Sequence, residues 1–491
     1  MAIDSGAASV EHASITLGPS SEQAALAHQA VANEAGLVRQ LSSRQLAMIA
    51  IGGAIGTGLF LGSSLAVRTA GPAVILTYAG GAVITLLIMG ALSEMASAHP
   101  TAGSFGVYAD VYVSGWAGFV VRYTYWAVQC IAIGDEAVAV AIYCGLWFPT
   151  VPKWVWVLVF SAALVYVNAR SVGSFGEFEY WFSTIKVGAI LLFILFGALV
   201  ITGAVPSRVR GITNYTVDGG FFPNGLKGAW MAMAFVIFSY IGTEVVAVTA
   251  GEAREPEKAV PKAMRSMVSR LIIFYLGAIM VLVAVVPWSK IQAGSNIKAS
   301  PFVTVFTIIG VPFAAHVINF VVLTAALSSM NCNLYLTSRT MFSLSRAGYA
   351  PSVFGKLTSN GAPLNALLIS AAGLLIAAAV AFLYPDQAFV YLFGVSLFGG
   401  IFVWMMIFVV HLYFRPKYEK SGAPRAPVRM PGYPYTSILG AVSLAAILIT
   451  TWWIEGMRVT LKAGIPWLAL ITVAYYVRRF IANREHRSTQ P

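Results

Sequence analysis

Stretches of about twenty predominantly apolar residues, the length an α-helix needs to cross a bilayer core, recur almost without pause from residue 45 to residue 480. Only 10% of the 491 residues are charged, while 58% are hydrophobic. A soluble domain carries about 25% charged residues, so this chain has too little charge to cover a water-facing surface. Within lipid, backbone polar groups must be satisfied inside the spanning segment, which selects helices. The expected fold is therefore all-α and polytopic. Twelve spans are predicted, at 45–66, 72–97, 114–145, 152–168, 180–203, 227–251, 266–287, 308–338, 364–384, 388–413, 435–454 and 464–481.

The net charge of +12 would suggest nucleic acid in a soluble protein. Here the tendency of Lys and Arg to collect in cytoplasmic loops accounts for it, and no nucleic-acid partner is expected. Twelve spans put both termini on one side. The loops on that side carry about twice as many Lys and Arg as the opposite ones, which predicts cytoplasmic termini. Residues 1–44 read as a polar cytoplasmic tail without the apolar core of a signal peptide. Residues 45–481 read as the transmembrane domain and 482–491 as a short cytoplasmic tail. Cys130, Cys144 and Cys332 lie in apolar runs and fit neither a disulfide framework nor a metal-ligand spacing. No metal or other cofactor is expected. The absence of a nucleophile–base pair argues against an enzyme.

Two spans are interrupted alike. The first contains IGGAIGTGLFLG (51–62) and the sixth AFVIFSYIGTEVVAVTAGE (234–252), sharing Ile55-Gly56-Thr57 and Ile241-Gly242-Thr243. Either run by itself is explained as well by close packing of small faces. Two such spans at corresponding places in successive halves point instead to a secondary transporter, where substrate binds at unwound helices near the midplane. Half-helix N-termini offer N–H groups to a carboxylate, and half-helix C-termini offer carbonyls to a cation. An amino acid zwitterion carries both charges.

Glu94, Arg122, Asp135, Glu136, Lys186 and Glu244 fall inside predicted spans, each at a cost of about 2.5–3.5 kcal/mol on insertion scales. Glu94 and Arg122 lie near span ends, from which long side chains reach water. Asp135 and Glu136 are about 100° apart on a helix, so at most one faces a central site, leaving Asp135 to water or a polar neighbour. Lys186 sits in FGEFEYWFSTIKVGAI (175–190). It is either half of a permanent ion pair with Glu136 or Glu244, or a group that changes charge during a cycle and couples transport to protons. The residues leave both readings open.

Further blocks carry a resemblance. They are PTAGSFGVYA (100–109), DEAVAVAIYCGLWFP (135–149), FSYIGTEVVAVTAGEAREPEKAVPKA (238–263), NCNLYLTSRTMFSLSRAGYAP (331–351) and FGVSLFGGIFVWMMIFVVHLYFR (393–415). Together with the glycine-broken first span and the lysine-bearing fifth, and in this order, they resemble the bacterial amino acid permeases of the amino acid–polyamine–organocation superfamily. The resemblance covers nearly the whole chain after about residue 37. It implies a five-plus-five inverted repeat (about 45–203 and 227–413) with helices 1 and 6 broken, and two extra helices at 435–481. It implies a substrate carboxylate against the backbone of Gly56, Thr57 and Gly58. The amino group would meet carbonyls of Ile55 and of the unwound stretch Phe238, Ser239 and Ile241, beside Gly242, with Phe238 as a gate.

Lys186 would be the proton-coupling group, partnered by first-helix carbonyls such as that of Gly53 and by the hydroxyls of Ser328 and Ser329. Glu136 and Glu244 would steer gating or protonation. The expected activity is proton-coupled amino acid import by alternating access in a bacterial inner membrane. An exchanger, a sodium-coupled symporter or a non-transporting sensor shares the fold. The stretch Arg122-Tyr123-Thr124-Tyr125-Trp126 and the acid at Asp135 depart from the family pattern, which leaves the substrate open. A third-helix acid facing the pocket would favour cationic amino acids, whereas a pocket closed by Phe238, Tyr240 and small residues would favour neutral ones, which are the expected substrates. The sequence says nothing of oligomeric state.

Overall fold

The computed structural model describes residues 41–488 apart from 102, 171, 205–210, 250, 251, 254, 255, 292–301, 304, 306–311 and 423. The expected tail, up to residue 40, and the last three residues lie outside this set. The regular elements among the described residues are all helical, with an isolated bridge between Leu41 and Ala253 as their one β-type pairing. Nine helical runs among them are long and apolar enough to cross a membrane, and Lys153–Ala169 and Ile272–Val285 are shorter apolar helices. The expected first and second spans both fall within one of the nine, Arg44–Ala98.

The first span is built as α1 (Ser43–Ala54), a single wide turn of π type (Gly58–Gly62) and α2 (Ser63–Ala70). Ser42 caps α1, accepting from the Gln45 N–H while the Gln45 side chain accepts from the Ser42 N–H, a reciprocal pair that satisfies two helix-end donors. Gly71, at φ +64°, then turns the chain into α3 (Val74–Ala98). After it come α4 (Ser104–Tyr112), a short helix that the apolar pattern did not predict, α5 (Gly115–Cys144), α6 (Lys153–Arg170) and α7 (Val172–Ile201).

The sixth span is divided into α8 (Gly225–Met231), α9 (Met233–Tyr240) and α10 (Val245–Thr249). The rest is α11 (Pro256–Val285), α12 (Pro312–Arg346), α13 (Leu364–Leu383), α14 (Ala388–Lys420), α15 (Tyr435–Thr450) and α16 (Val459–Ser488). Several predicted boundaries need correction: the helix of the seventh span begins at Pro256 rather than 266, the tenth runs to Lys420 rather than 413, and the twelfth covers Val459–Ser488 rather than 464–481. Two more share one cause. The fifth span begins at Val172 rather than 180, and the eighth runs on to Arg346 rather than 338. Both were cut short at charged residues, yet Glu179 and Arg339 are buried inside the helices and partnered there.

The core of the bundle is α5, which packs against α12, α14 and α13. Outer helices turn apolar side chains outward, among them Leu192 and Leu195 on α7, Phe382 on α13 and Val473 on α16. Such a surface suits lipid, whose tails are as apolar as leucine.

Candidate functional site

The two interrupted spans meet backbone to backbone. α1 ends because Ile55 leaves helical geometry (φ −88°, ψ 93°), and helix resumes through the wide turn at Gly58. Turns of this type inside helices cluster at functional sites. α9 ends at Tyr240, Ile241 is extended (φ −61°, ψ 140°), and Gly242 takes φ +105° before α10 begins. This corrects one expectation. Phe238 and Ser239 belong to the last turn of α9, and the unwound stretch starts at Ile241. The last-turn carbonyls of a helix lack intrahelical partners, and here the Phe238 carbonyl accepts from the Ile241 N–H (3.2 Å).

Side chains stitch the breaks together. The Ser239 hydroxyl donates to the Gly58 carbonyl (2.8 Å) and lies 3.2 Å from the Tyr78 hydroxyl. The Tyr275 hydroxyl of α11 reaches the carbonyls of both Ala54 (2.6 Å) and Ser239 (2.7 Å), and its ring stacks on Tyr240 at 4.7 Å. Gly56 has no room for a side chain: a Cβ there would stand 2.6 Å from Ser329 Oγ and 2.8 Å from Glu136 Oε1.

Between the breaks lies a cavity of about 30 Å³, enough for a water or two and too small for an amino acid until a neighbouring element moves. Of the residues singled out in the sequence, Gly53, Gly56, Gly58, Glu136, Phe238, Ser239, Ile241, Gly242 and Ser329 line it. Ile55, Thr57, Lys186, Glu244 and Ser328 do not, nor does Tyr240, which was expected to help close the pocket. Gln129, Asn333 and Ser396 line it too and went unnoticed, because a neutral polar residue in an apolar run carries no distinctive signal. Phe238, which lines the cavity, packs against Phe393 behind it, with ring centroids 3.9 Å apart and the rings tilted by 34°.

Lys186 is fully buried, and its Nζ donates to the carbonyls of Gly52 (2.6 Å) and Ile55 (3.0 Å) at the end of α1. The acceptor is thus Gly52 where Gly53 was expected. The two serines also differ from expectation. Ser328 donates to Glu179 and Ser329 to Glu136 (2.7 Å), so these hydroxyls serve carboxylates. A hydroxyl beside an acid of this kind meets the acid's unfilled lone pairs in preference to an ammonium already held by carbonyls. The carboxylate within 4 Å of Lys186 is neither Glu136 nor Glu244 but Glu179, at 3.9 Å. Glu244 instead accepts from Tyr125 Oη (3.1 Å), Trp404 Nε1 (3.1 Å) and the Gly242 N–H (2.9 Å), pinning the sixth-span break to α5 and α14.

The remaining ionisable residues divide as follows. Glu94 and Arg122 do not reach water. Glu94 is buried and accepts from Arg415, His411 Nε2 (3.1 Å) and the Met430 N–H (2.8 Å), and Arg122 pairs with Asp110 at 3.0 Å. Asp135 is buried with no hydrogen-bond partner for either oxygen among the described residues. One position along α5, it misses the cavity that Glu136 lines.

A polytopic helical bundle whose central cavity is formed by two interrupted helices is the architecture of a membrane transporter. The chain belongs to the amino acid permease family, whose model matches residues 45–490. It is 38% identical to an uncharacterized amino acid permease, YtnA, of Bacillus subtilis over 90% of this chain and 96% of that one. It is 38% identical to the gamma-aminobutyric acid permease of Bacillus subtilis (92% and 96% covered) and 37% identical to the aromatic amino acid transport protein AroP of Escherichia coli (91% and 97%). The protein is therefore a multi-pass membrane protein of amino acid transport, and a transporter rather than an enzyme.

Proposed function

We propose that this protein imports amino acids by proton-coupled symport with alternating access, and that Lys186 carries the coupled proton. The observation that carries this reading is the pair of bonds from Lys186 Nζ to the Gly52 and Ile55 carbonyls. They tie a titratable side chain to the backbone break where substrate would dock. The N–H groups of Gly56, Thr57 and Gly58 would receive the substrate carboxylate. The amino group would meet the Ile55 carbonyl, whose second lone pair is free of the lysine bond, and the carbonyls beside Gly242. Movement of Phe238 against Phe393 would admit and then cover the ligand. Glu136, bonded to Ser329 beside Gly56, and Glu244, bonded at Gly242, would relay protonation to the two breaks. A ligand shifts a conformational equilibrium only by its differential affinity, so proton and substrate must favour the same state.

Reading Arg44–Ala98 as two crossings and the two shorter apolar helices as one each brings the nine runs to twelve. The repeats would be about 45–203 and 227–413, with 435–481 outside them and both termini cytoplasmic. The lining holds one aromatic ring, Phe238, among small residues and the acid Glu136, whose Oε1 is held by Ser329. The small residues and Phe238 support a neutral substrate, and a free Glu136 would favour a cationic one. The related gamma-aminobutyric acid and aromatic amino acid carriers leave the side chain to be determined. The test is uptake into sodium-free proteoliposomes under an inward proton gradient with a panel of labelled amino acids. Accumulation that collapses with a protonophore, and is absent in Lys186→Met, is expected. Uptake only after preloading with amino acid would make the protein an exchanger, and accumulation by Lys186→Met would remove the lysine from coupling.

A further inference from the structure

We propose that Glu179 is the group that exchanges a proton with Lys186, a second carrier in the coupling path. This deepens the proton-coupled reading above and rests on it. The two residues are fully buried about two turns apart on α7, with Nζ and Oε1 separated by 3.9 Å.

The protons on Lys186 are not equivalent. Two of the three N–H groups are spent on the Gly52 and Ile55 carbonyls. A neutral amine still has two, so it can keep both bonds and hold the first-span break. The third proton is the one that can leave, and Glu179 holds the nearest carboxylate. In the transfer the Nζ–H bond breaks with its electron pair left on nitrogen, and an O–H bond forms at Oε1. A buried ammonium and carboxylate become an amine and an acid, which removes the desolvation cost of both charges at once.

The anchoring of the pair links this step to movement. Lys186 is held by α1, whereas Glu179 accepts from Ser328 and Asn331 of α12 and from Ser183 (3.1 Å) on its own helix. The present 3.9 Å is beyond hydrogen-bond reach. A displacement of α1 relative to α12 of about 1 Å changes whether the proton can cross. Gly52 belongs to the same device, because a Cβ there would run into Ser183 Oγ and Glu179 Oε1. The other titratable groups near the pair are Glu136, Tyr275 and Cys332. Glu136 of α5 gives Oε1 to Ser329 and keeps Oε2 without a partner among the described residues, the Tyr275 hydroxyl of α11 is spent on carbonyls, and the Cys332 thiol of α12 is buried. Asn168 of α6, bonded to Asn331 at 2.7 Å, does not titrate.

The test is Glu179→Gln in proteoliposomes, since glutamine keeps the size and an acceptor oxygen but cannot take the proton. Proton-driven accumulation should fall by about tenfold or more, and the pH dependence of uptake should flatten. Counterflow exchange of labelled amino acid should stay near the wild-type rate. Glu179→Asp should retain part of the pH-dependent accumulation. Accumulation by Glu179→Gln at the wild-type level overturns the proposal. So does equal behaviour of the Gln and Asp variants, which would make the residue structural. Wild-type protein without protonophore-sensitive uptake would instead remove proton coupling itself. Coupling intact in wild type and in Glu179→Gln, but lost in Lys186→Met, would remove only Glu179.

Discussion

Gly242 faces the carbonyl oxygen of Gly53 so closely that no Cβ would fit between them, and the two interrupted spans meet there without an intervening side chain. Gly242 is also at φ +105°, a conformation open to glycine and strained for other residues. A methyl group there would meet the Gly53 carbonyl as well.

Gly242→Ala should therefore cost about 1–3 kcal/mol in backbone strain alone and separate the two breaks. Uptake should be lost even in protein that elutes as a single species by size-exclusion chromatography. Wild-type uptake with an unchanged melting temperature would show that the contact is dispensable.

Tyr275 makes a different link, holding carbonyls of both broken spans with one hydroxyl. Tyr275→Phe keeps the ring stack on Tyr240 but removes the single O–H that the buried Ala54 and Ser239 carbonyls share, at about 1–3 kcal/mol. The variant should fold, melt several degrees lower and transport more slowly. If its uptake rate equals that of wild type, the hydroxyl has no part in positioning the breaks.

Phe238→Ala removes one of the two rings of the Phe238–Phe393 pair. Loss of the apolar cover should weaken substrate binding by about 1.5–3 kcal/mol, roughly tenfold to a hundredfold. Calorimetric titration of purified protein with its transported amino acid measures this directly. An unchanged affinity would place the gate elsewhere.

Glu94 gathers Arg415, His411 and the Met430 N–H at one end of α3, tying α14 to the segment before α15. Glu94→Gln leaves the Arg415 guanidinium, bonded in the native protein by that carboxylate, without its counter-charge. Breaking a buried pair costs about 3–5 kcal/mol. The effect should appear in thermal stability in detergent, while the fraction that remains folded should bind substrate normally. A melting temperature equal to that of wild type would count against a structural role for the pair.

Much of this was legible in the chain. Glycines at 52, 53, 56, 58 and 242 located the interruptions, because only repeated loss of side chains lets two helices unwind in contact. Lys186 stood out because a charge inside an apolar run needs a partner. Which partner it takes was not legible. Glu179 was set outside the membrane by a span boundary drawn at charged residues, although its spacing from Lys186 places both on one helix face.

The sequence by itself determined the class of solvent this protein lives in, its helical build and the places where two helices break. Those properties follow from hydrophobicity and backbone freedom along a single segment. Tertiary structure alone decided that Lys186 bonds Gly52 and Ile55, that Ser328 and Ser329 serve carboxylates, and that Tyr275 bridges both breaks. It also decided that Asp135, expected to meet water or a polar neighbour, is buried with no hydrogen-bond partner among the described residues. Each of these depends on the rotation and depth of one helix against another, which is set by packing among residues far apart in the chain.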